Sequence, residues 1–309
     1  MFTMMNHARL GVGLEGVAIG ERAYQQARDY ARTRVQSREI SGDDGKPVTI
    51  VHHPDVRRML LAMRVQTEAA RAFNYYVAAL LDRSKREPDE TQRADALAFL
   101  DLLTPIAKAW STDQGVEVAS LGIQIHGGMG FIEETGAAQH YRDARIAPIY
   151  EGTNGIQAND LMGRKLGRDK GETARRFIGE MAKLDVPLAS SKSPEIAALR
   201  APLRDGIEAL ETATQWMVET LETDLRRAAA GAVEYLRLFG NVAGGWALAR
   251  SALEAGRRLA AREGDPSFLK AKLISARFYA DTVLARAPSS LAPMMRAGDS
   301  VLALAEEQF

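Results

Sequence analysis

Cysteine is absent from this chain of 309 residues. Its absence excludes disulfide bonds, thiolate metal sites and a cysteine nucleophile. It fits a reducing compartment, so we expect a cytoplasmic protein. The five histidines show no spacing typical of a metal site, and His52 and His53 are expected to be solvated or hydrogen-bonded. We therefore predict no metal.

Excess charge and long apolar runs are also lacking. Forty Lys and Arg residues balance forty Asp and Glu residues, which gives no electrostatic argument for nucleic acid or an anionic membrane as a partner. No apolar run reaches the length of a membrane span, and the first residues lack the pattern of a secretory signal. Hydrophobic residues nevertheless make up 46% of the chain, enough for a substantial core.

Helical periodicity dominates the first half of the chain, and alternating strand patterns are almost missing. The patterns predict helices over 1–36, 55–85, 90–126, 135–143 and 153–166, with a loop over 37–54. Pro105 falls inside the third of these helices, where it could bend or split the helix. The glycines of HGGMGF at 126–131 are expected to end that helix.

The best boundary candidate is GRDKG, at residues 167–171. Beyond it, helices are predicted over 195–222, 224–262 and 266–286, with a loop over 186–194 and a possible interruption at Gly244–Gly245. The predicted fold is all-α, with antiparallel helix bundles in two domains, 1–167 and 168–309.

Glu151 is the strongest candidate for chemistry, in the segment RIAPIYEGTNGIQ. It could be a catalytic base, or only an acidic residue favoured at a helix start, and on local grounds the second interpretation is the better one. The run GGMG could suggest a phosphate loop, but it follows a helix and not a strand, which favours a helix cap. Arg9 and Arg34, taken singly, fit a solvated helix face as well as phosphate recognition.

Taken together, four segments resemble the C-terminal part of an acyl-CoA dehydrogenase over residues 1–167. They are the first helix, HPDVRRML, QIHGGMGF and YRDARIAPIYEGTNGIQ. Residues 168–309 resemble the additional helical domain of a longer subgroup that includes methylmercaptopropionyl-CoA dehydrogenases. The resemblance implies an antiparallel four-helix bundle that oxidises an acyl-CoA to the trans-2-enoyl-CoA with FAD.

The resemblance also assigns roles to single residues. Glu151 matches the base that removes the α-proton, and Ala8 stands where some relatives carry the base instead. The implied substrate-binding residues are Arg9 and Gly152. Those implied to bind FAD are Arg34, Gln124, Gly128 and Thr153, three of them (Arg34, Gln124 and Gly128) from a partner subunit. Gly155 and Ser37 depart from the family pattern, so flavin contacts there are not carried over.

The family further implies an electron-transfer flavoprotein as partner and a homodimer or homotetramer. Its N-terminal helical and β domains have no counterpart in this sequence, so we expect a truncated product with little FAD retention or activity alone. Two alternatives are a non-catalytic helical oligomerisation module and a DNA-binding relative. The second is disfavoured because residues 168–309 contain 20 basic and 19 acidic residues.

Overall fold

The computed structural model describes residues 2–40 and 45–309, and it confirms the all-α fold. Three long helices form the first part: α1 (Phe2–Thr33), α2 (Pro54–Arg86) and α3 (Glu90–His126). Helix α3 packs against both others. It begins where the Asp89 carboxylate accepts the N–H of Gln92, at 2.8 Å. Pro105 does not break it.

Glycines bring α1 and α3 together almost backbone to backbone. A Cβ at Gly16 would lie 2.5 Å from the carbonyl oxygen of Ser111, and one at Gly115 would lie 2.6 Å from the carbonyl oxygen of Gly16. No side chain larger than hydrogen fits between these backbones without moving them. This close crossing therefore fixes the position of the α1 residues relative to those of α3.

A two-stranded antiparallel hairpin corrects the prediction for residues 34–54. Helix α1 ends at Thr33, and β1 (Val35–Arg38) pairs with β2 (Pro47–Thr49), followed by a 3₁₀ turn, Ile50–His52. The strands are too short to give an alternating pattern, so the sequence predicted a helix to 36 and then a loop. Residues 41–44 of that predicted loop lie outside the described part.

Short elements follow α3, which ends at Gly127 with φ 60°, as predicted. They are α4 (Gly128–Phe131), α5 (Ala137–Ala144) and α6 (Asn154–Asn159), then a π-helix (Asp160–Leu166) and α7 (Gly167–Asp169). The helix predicted over 153–166 is thus a short α-helix that continues into the rarer π geometry.

The second part of the chain contains α8 (Glu172–Ala182), α9 (Asp185–Ala189), α10 (Pro194–Ala197), α11 (Arg200–Thr223), α12 (Leu225–Ala261), α13 (Pro266–Thr282) and α14 (Leu291–Val301). The helix predicted over 195–222 is divided between α10 and α11, and α13 ends four residues before the predicted 286. Gly244 and Gly245 do not interrupt α12. They admit side chains of α3, α13 and the turn after α13 close to the helix backbone.

One hydrophobic core runs through both predicted domains. Phe73 and Trp110 from the first part pack in the same cluster as Phe177, Phe239 and Trp246 from the second. The indole N–H of Trp110 also donates to the Asn241 side chain, at 3.0 Å. Helix α12 thereby covers the outer faces of α2 and α3. Within the described ranges, no helix is both long and apolar enough to cross a membrane.

Candidate functional site

Glu151 lies in a tight turn between the end of α5 and the start of α6. Both Glu151 and the following Gly152 have left-handed backbones, with φ 55° and 84°. The Asn154 N–H closes the turn on the carbonyl of Pro148, at 2.9 Å. A left-handed backbone costs a non-glycine residue of the order of 1–3 kcal/mol, and such residues cluster at functional sites.

Side chains from three elements hold the turn from inside. The carbonyl of Glu151 accepts from Arg9 Nε at 3.4 Å and from Gln157 Nε2 at 3.3 Å. The carbonyl of Gly152 accepts from Gln157 Nε2 at 3.2 Å and from Lys108 Nζ at 3.0 Å. The two carbonyls therefore face the protein interior, and α1, α3 and α6 together fix their direction.

The predicted substrate residue Arg9 is itself buried. Its guanidinium pairs with the carboxylate of Asp160 at 3.0 Å, and Asp160 also accepts from Arg164 at 2.6 Å. Asp160 opens the π-helix, so this irregular segment supplies the counter-charge for Arg9. The structure thus places Arg9 directly behind the turn that carries Glu151.

Other polar groups of the turn have no partner among the described residues. In the part of the chain that the structure describes, the N–H groups of Glu151, Gly152 and Thr153 make no hydrogen bond, and the half-buried Glu151 carboxylate makes neither a hydrogen bond nor an ion pair. The neighbouring Tyr150 hydroxyl donates to Glu15, which raises the pKa of Tyr150 to about 12. An acid and free donors are therefore available together for a ligand.

Lys108 is fully buried beneath this turn. Besides the carbonyl of Gly152, its ammonium reaches Asn154 Oδ1 at 2.9 Å. The Asn154 amide in turn donates to Asp113 at 2.7 Å and to Thr112 Oγ1 at 3.0 Å. Burial lowers the pKa of Lys108 to about 8, an effect that the charge of Asp113 opposes.

Removing this lysine should change how stability depends on pH. Between about pH 8 and 10.5 the unfolded chain holds a proton that folded Lys108 has lost, so the free energy of unfolding rises with pH in that window. Relative to Lys108→Met, the wild-type chain should gain about 3 kcal/mol across it. Urea unfolding of both proteins at several pH values measures the difference. Parallel pH profiles would contradict the shifted pKa.

The other predicted FAD residues lie at the far end of the bundle. Arg34, Gln124 and Gly128 are exposed there, where the Tyr30 and His126 rings stack with centroids 4.4 Å apart. Arg9 lies near the start of α1 and Arg34 directly after its end. At 1.5 Å per residue, the two positions are separated by about 37 Å along the helix.

Thr153 lies at the opposite end of the bundle, close to Glu151, where its hydroxyl accepts the N–H of Ile156 at 3.3 Å and caps α6. The predicted site residues thus form two separate groups, one around Glu151 and one around Arg34 at the far end of the bundle.

Sequence reasoning missed the residues that support the turn, which are Lys108, Asn154, Gln157 and Asp160. One signal was available: Lys108 interrupts the apolar run PIAKAW in the middle of a long helix. A lysine surrounded by core residues is unusual unless it has partners. The other three belong to a helix start and gave no separate signal.

Comparisons with known proteins identify the family of this chain. The family model described as "Acyl-CoA dehydrogenase, C-terminal domain" matches residues 1–166. A second, "Acetyl-CoA dehydrogenase C-terminal like", matches residues 176–305. The chain therefore belongs to the acyl-CoA dehydrogenase family.

Individual relatives match along the whole chain. A 3-methylmercaptopropionyl-CoA dehydrogenase of Ruegeria pomeroyi is 48% identical over 98% of this chain and 51% of its own length. A butyryl-CoA dehydrogenase of Syntrophomonas wolfei is 32% identical over 99% of this chain and 50% of its own.

A solved acyl-CoA dehydrogenase from Bacillus anthracis, complexed with FAD, shares the fold with a TM-score of 0.72 at 18% identity, over 99% of this chain and 50% of that one. The chain thus spans about half the length of the curated relatives it matches.

Proposed function

We propose that this chain carries the catalytic base of an FAD-dependent acyl-CoA dehydrogenase, and that the base is Glu151. The observation that carries the proposal is the left-handed turn, which leaves the Glu151 carboxylate and three backbone N–H groups without hydrogen-bond partners among the described residues. A carboxylate beside free donors suits the removal of a proton next to a carbonyl group.

The residues of the turn divide the work in this proposal. The Glu151 carboxylate accepts the α-proton of the thioester, while backbone N–H groups of the turn donate to the thioester oxygen as negative charge develops on it. When bound, FAD supplies the oxidising capacity and accepts the β-hydride. Arg9 keeps the turn in place, and Gly152 makes room for the Gln157 side chain, whose Nε2 would lie 2.9 Å from a Cβ at position 152.

The far end of the bundle fits the nucleotide part of FAD. Arg34 is exposed and, within the described residues, its guanidinium has no hydrogen bond or ion pair, so it is free to bind a pyrophosphate. Gly128 has open space around its Cα. An extended FAD molecule is shorter than the distance of about 37 Å between the two ends. Each flavin would therefore contact Thr153 of one copy and Arg34, Gln124 and Gly128 of a second.

The names of the relatives suggest the finer assignment. The 48% identity to a 3-methylmercaptopropionyl-CoA dehydrogenase supports a short acyl-CoA, such as 3-methylmercaptopropionyl-CoA, as substrate. A caffeyl-CoA reductase-Etf complex subunit, 30% identical over half of this chain, supports an electron-transfer flavoprotein as the electron acceptor.

A chimera tests the proposed function. This chain is joined to the part of the Ruegeria pomeroyi relative that it does not span. We expect a yellow protein with a flavin absorbance spectrum that reduces an artificial electron acceptor when 3-methylmercaptopropionyl-CoA or butyryl-CoA is added. The 309-residue chain alone serves as the control and is expected to retain less FAD.

Arg34→Ala in the chimera tests the proposed FAD contact at the far end of the bundle separately from the role of Glu151. It should lower FAD retention after gel filtration without changing the fold, because the Arg34 guanidinium has no partner among the described residues. A folded chimera that binds FAD but oxidises none of a panel of acyl-CoAs would refute the proposed activity. FAD retention unaffected by Arg34→Ala would refute the proposed far-end contact.

A further inference from the structure

The proposed role of Glu151 does not explain why a lysine is buried at position 108. It is fully buried, and among the described residues no other lysine is. Burying an ammonium is unfavourable unless it is paired, yet no carboxylate lies within ion-pair distance of Nζ in the described part. Its acceptors are a backbone carbonyl and an amide oxygen.

One of the two acceptors has a second donor, because the carbonyl of Gly152 also accepts from Gln157, at 3.2 Å. The other, Asn154 Oδ1, lies 3.4 Å from the Thr112 hydroxyl, but the single hydrogen of that hydroxyl is closer to the carbonyl of Ala109, at 3.0 Å. Lys108 is therefore the better donor to Asn154. A methionine at position 108 would fill the space and bury no charge, so packing alone gives no reason for a lysine here.

The direction of the ammonium does give a reason. It bridges the second residue of the left-handed turn and the first residue of α6, and so joins the segment that carries Glu151 to the rigid middle of α3. We propose that Lys108 is a positioning residue that locks the turn, so that the Glu151 carboxylate and the adjacent N–H groups keep one outward direction. The inference that this restraint serves catalysis rests on the proposed function. The inference that Lys108 restrains the turn does not.

Charged groups from several elements surround Lys108. Asp113 of α3 and Glu151 of the turn favour its charged form, whereas Arg9 of α1 opposes it. Asp160 of the π-helix pairs with Arg9, and Arg237 of α12 faces Asp113. The lysine therefore senses the charge of Glu151 directly, as a positioning residue beside a base should.

Hydrogen exchange in the 309-residue chain tests the lock without any cofactor or substrate. The reporter amides are Asn154, which donates to Pro148, and Gln157, which donates to Thr153. The amide of Phe239, in the core of α12, reports on global stability. In Lys108→Met, exchange at both reporters should be at least tenfold faster, while exchange at Phe239 is unchanged or slower.

Thr104→Val is the matched control. Thr104 is also fully buried on α3, one turn before Lys108, but its hydroxyl donates to the carbonyl of Leu100, at 2.7 Å, and not to the turn. It should leave the exchange of Asn154 and Gln157 unchanged relative to Phe239. If Lys108→Met accelerates all three amides equally, or none of them, Lys108 is a structural residue and the inference is wrong.

The NMR titration of the Lys108 side chain gives a second, independent measurement. In Glu151→Gln its pKa should fall below the wild-type value, because the carboxylate charge that favours the ammonium is gone. An unchanged pKa would show that the two groups are uncoupled and would overturn the inference. These readouts do not depend on turnover, so a chimera that fails to oxidise acyl-CoA would refute the proposed function and leave the exchange result standing.

Discussion

Glu151→Gln should lower kcat of the chimera by roughly a hundred- to ten-thousand-fold, the usual contribution of a positioned general base. The amide has nearly the same shape as the carboxylate but cannot accept the α-proton. Because the Glu151 side chain has no partner in the described part of the chain, its replacement should not change the fold. Steady-state kinetics with butyryl-CoA, together with the flavin spectrum, measure the loss at constant FAD content.

Glu15→Gln is the control for this variant. Glu15 is an acid close to the same turn, where it accepts the hydroxyl hydrogen bond of Tyr150, and glutamine can still accept that bond. It should keep at least a third of the wild-type kcat. If the Glu151 variant keeps full turnover, or if both variants lose activity equally, Glu151 is not the base.

Gly244→Ala should destabilise the protein, because the added methyl group has no free space. Its Cβ would lie 2.6 Å from Cη2 of Trp110 and 2.8 Å from the hydroxyl of Tyr279. Trp110 belongs to α3 and Tyr279 to α13, so the added methyl pushes apart helices on both sides of the predicted domain boundary. Overpacking of this kind costs about 1–3 kcal/mol. Urea unfolding, followed by tryptophan fluorescence and by circular dichroism, measures the loss.

Gly179→Ala makes the same chemical change in open space. Gly179 is exposed within α8, and nothing lies within 4 Å of a Cβ there. Alanine should therefore raise the free energy of unfolding by about 0.5–1 kcal/mol, through its higher helix propensity. Both variants should unfold in one transition, since the core is shared. Two separate transitions would show that 1–167 and 168–309 are independent folding units.

The long helices could be predicted from the sequence because their apolar spacing and their end signals agree. Helix α3 has Asp89 before it and Gly127 after it, and both predicted ends are the observed ones. The hairpin after α1 was missed because two strands of four and three residues show no periodicity. The path of the chain at Gly244 was also unpredictable, because only the tertiary contact with Trp110 explains that glycine.

The candidate site also contains some residues that could be predicted from the sequence and others that could not. Glu151 could be predicted as the base from the sequence because its neighbours form a recognisable segment, although its own residue type was ambiguous. The residues behind it were not predictable as a group, since Lys108 is distant in sequence from Gln157 and Asp160, and those two sit in an ordinary helix pattern. Their common function is visible only where α1, α3 and the π-helix meet.

The inward carbonyls of the turn that carries Glu151 determine the electrostatic potential on the outer side of this turn. A trans peptide unit is planar, so its N–H points away from its C=O. With the carbonyls of Glu151 and Gly152 held inside, the next two N–H groups must point outward, and the peptide dipoles present their positive ends there. These dipoles are already oriented before any ligand arrives. Negative charge that develops on a thioester oxygen would be stabilised without reorganisation of the protein.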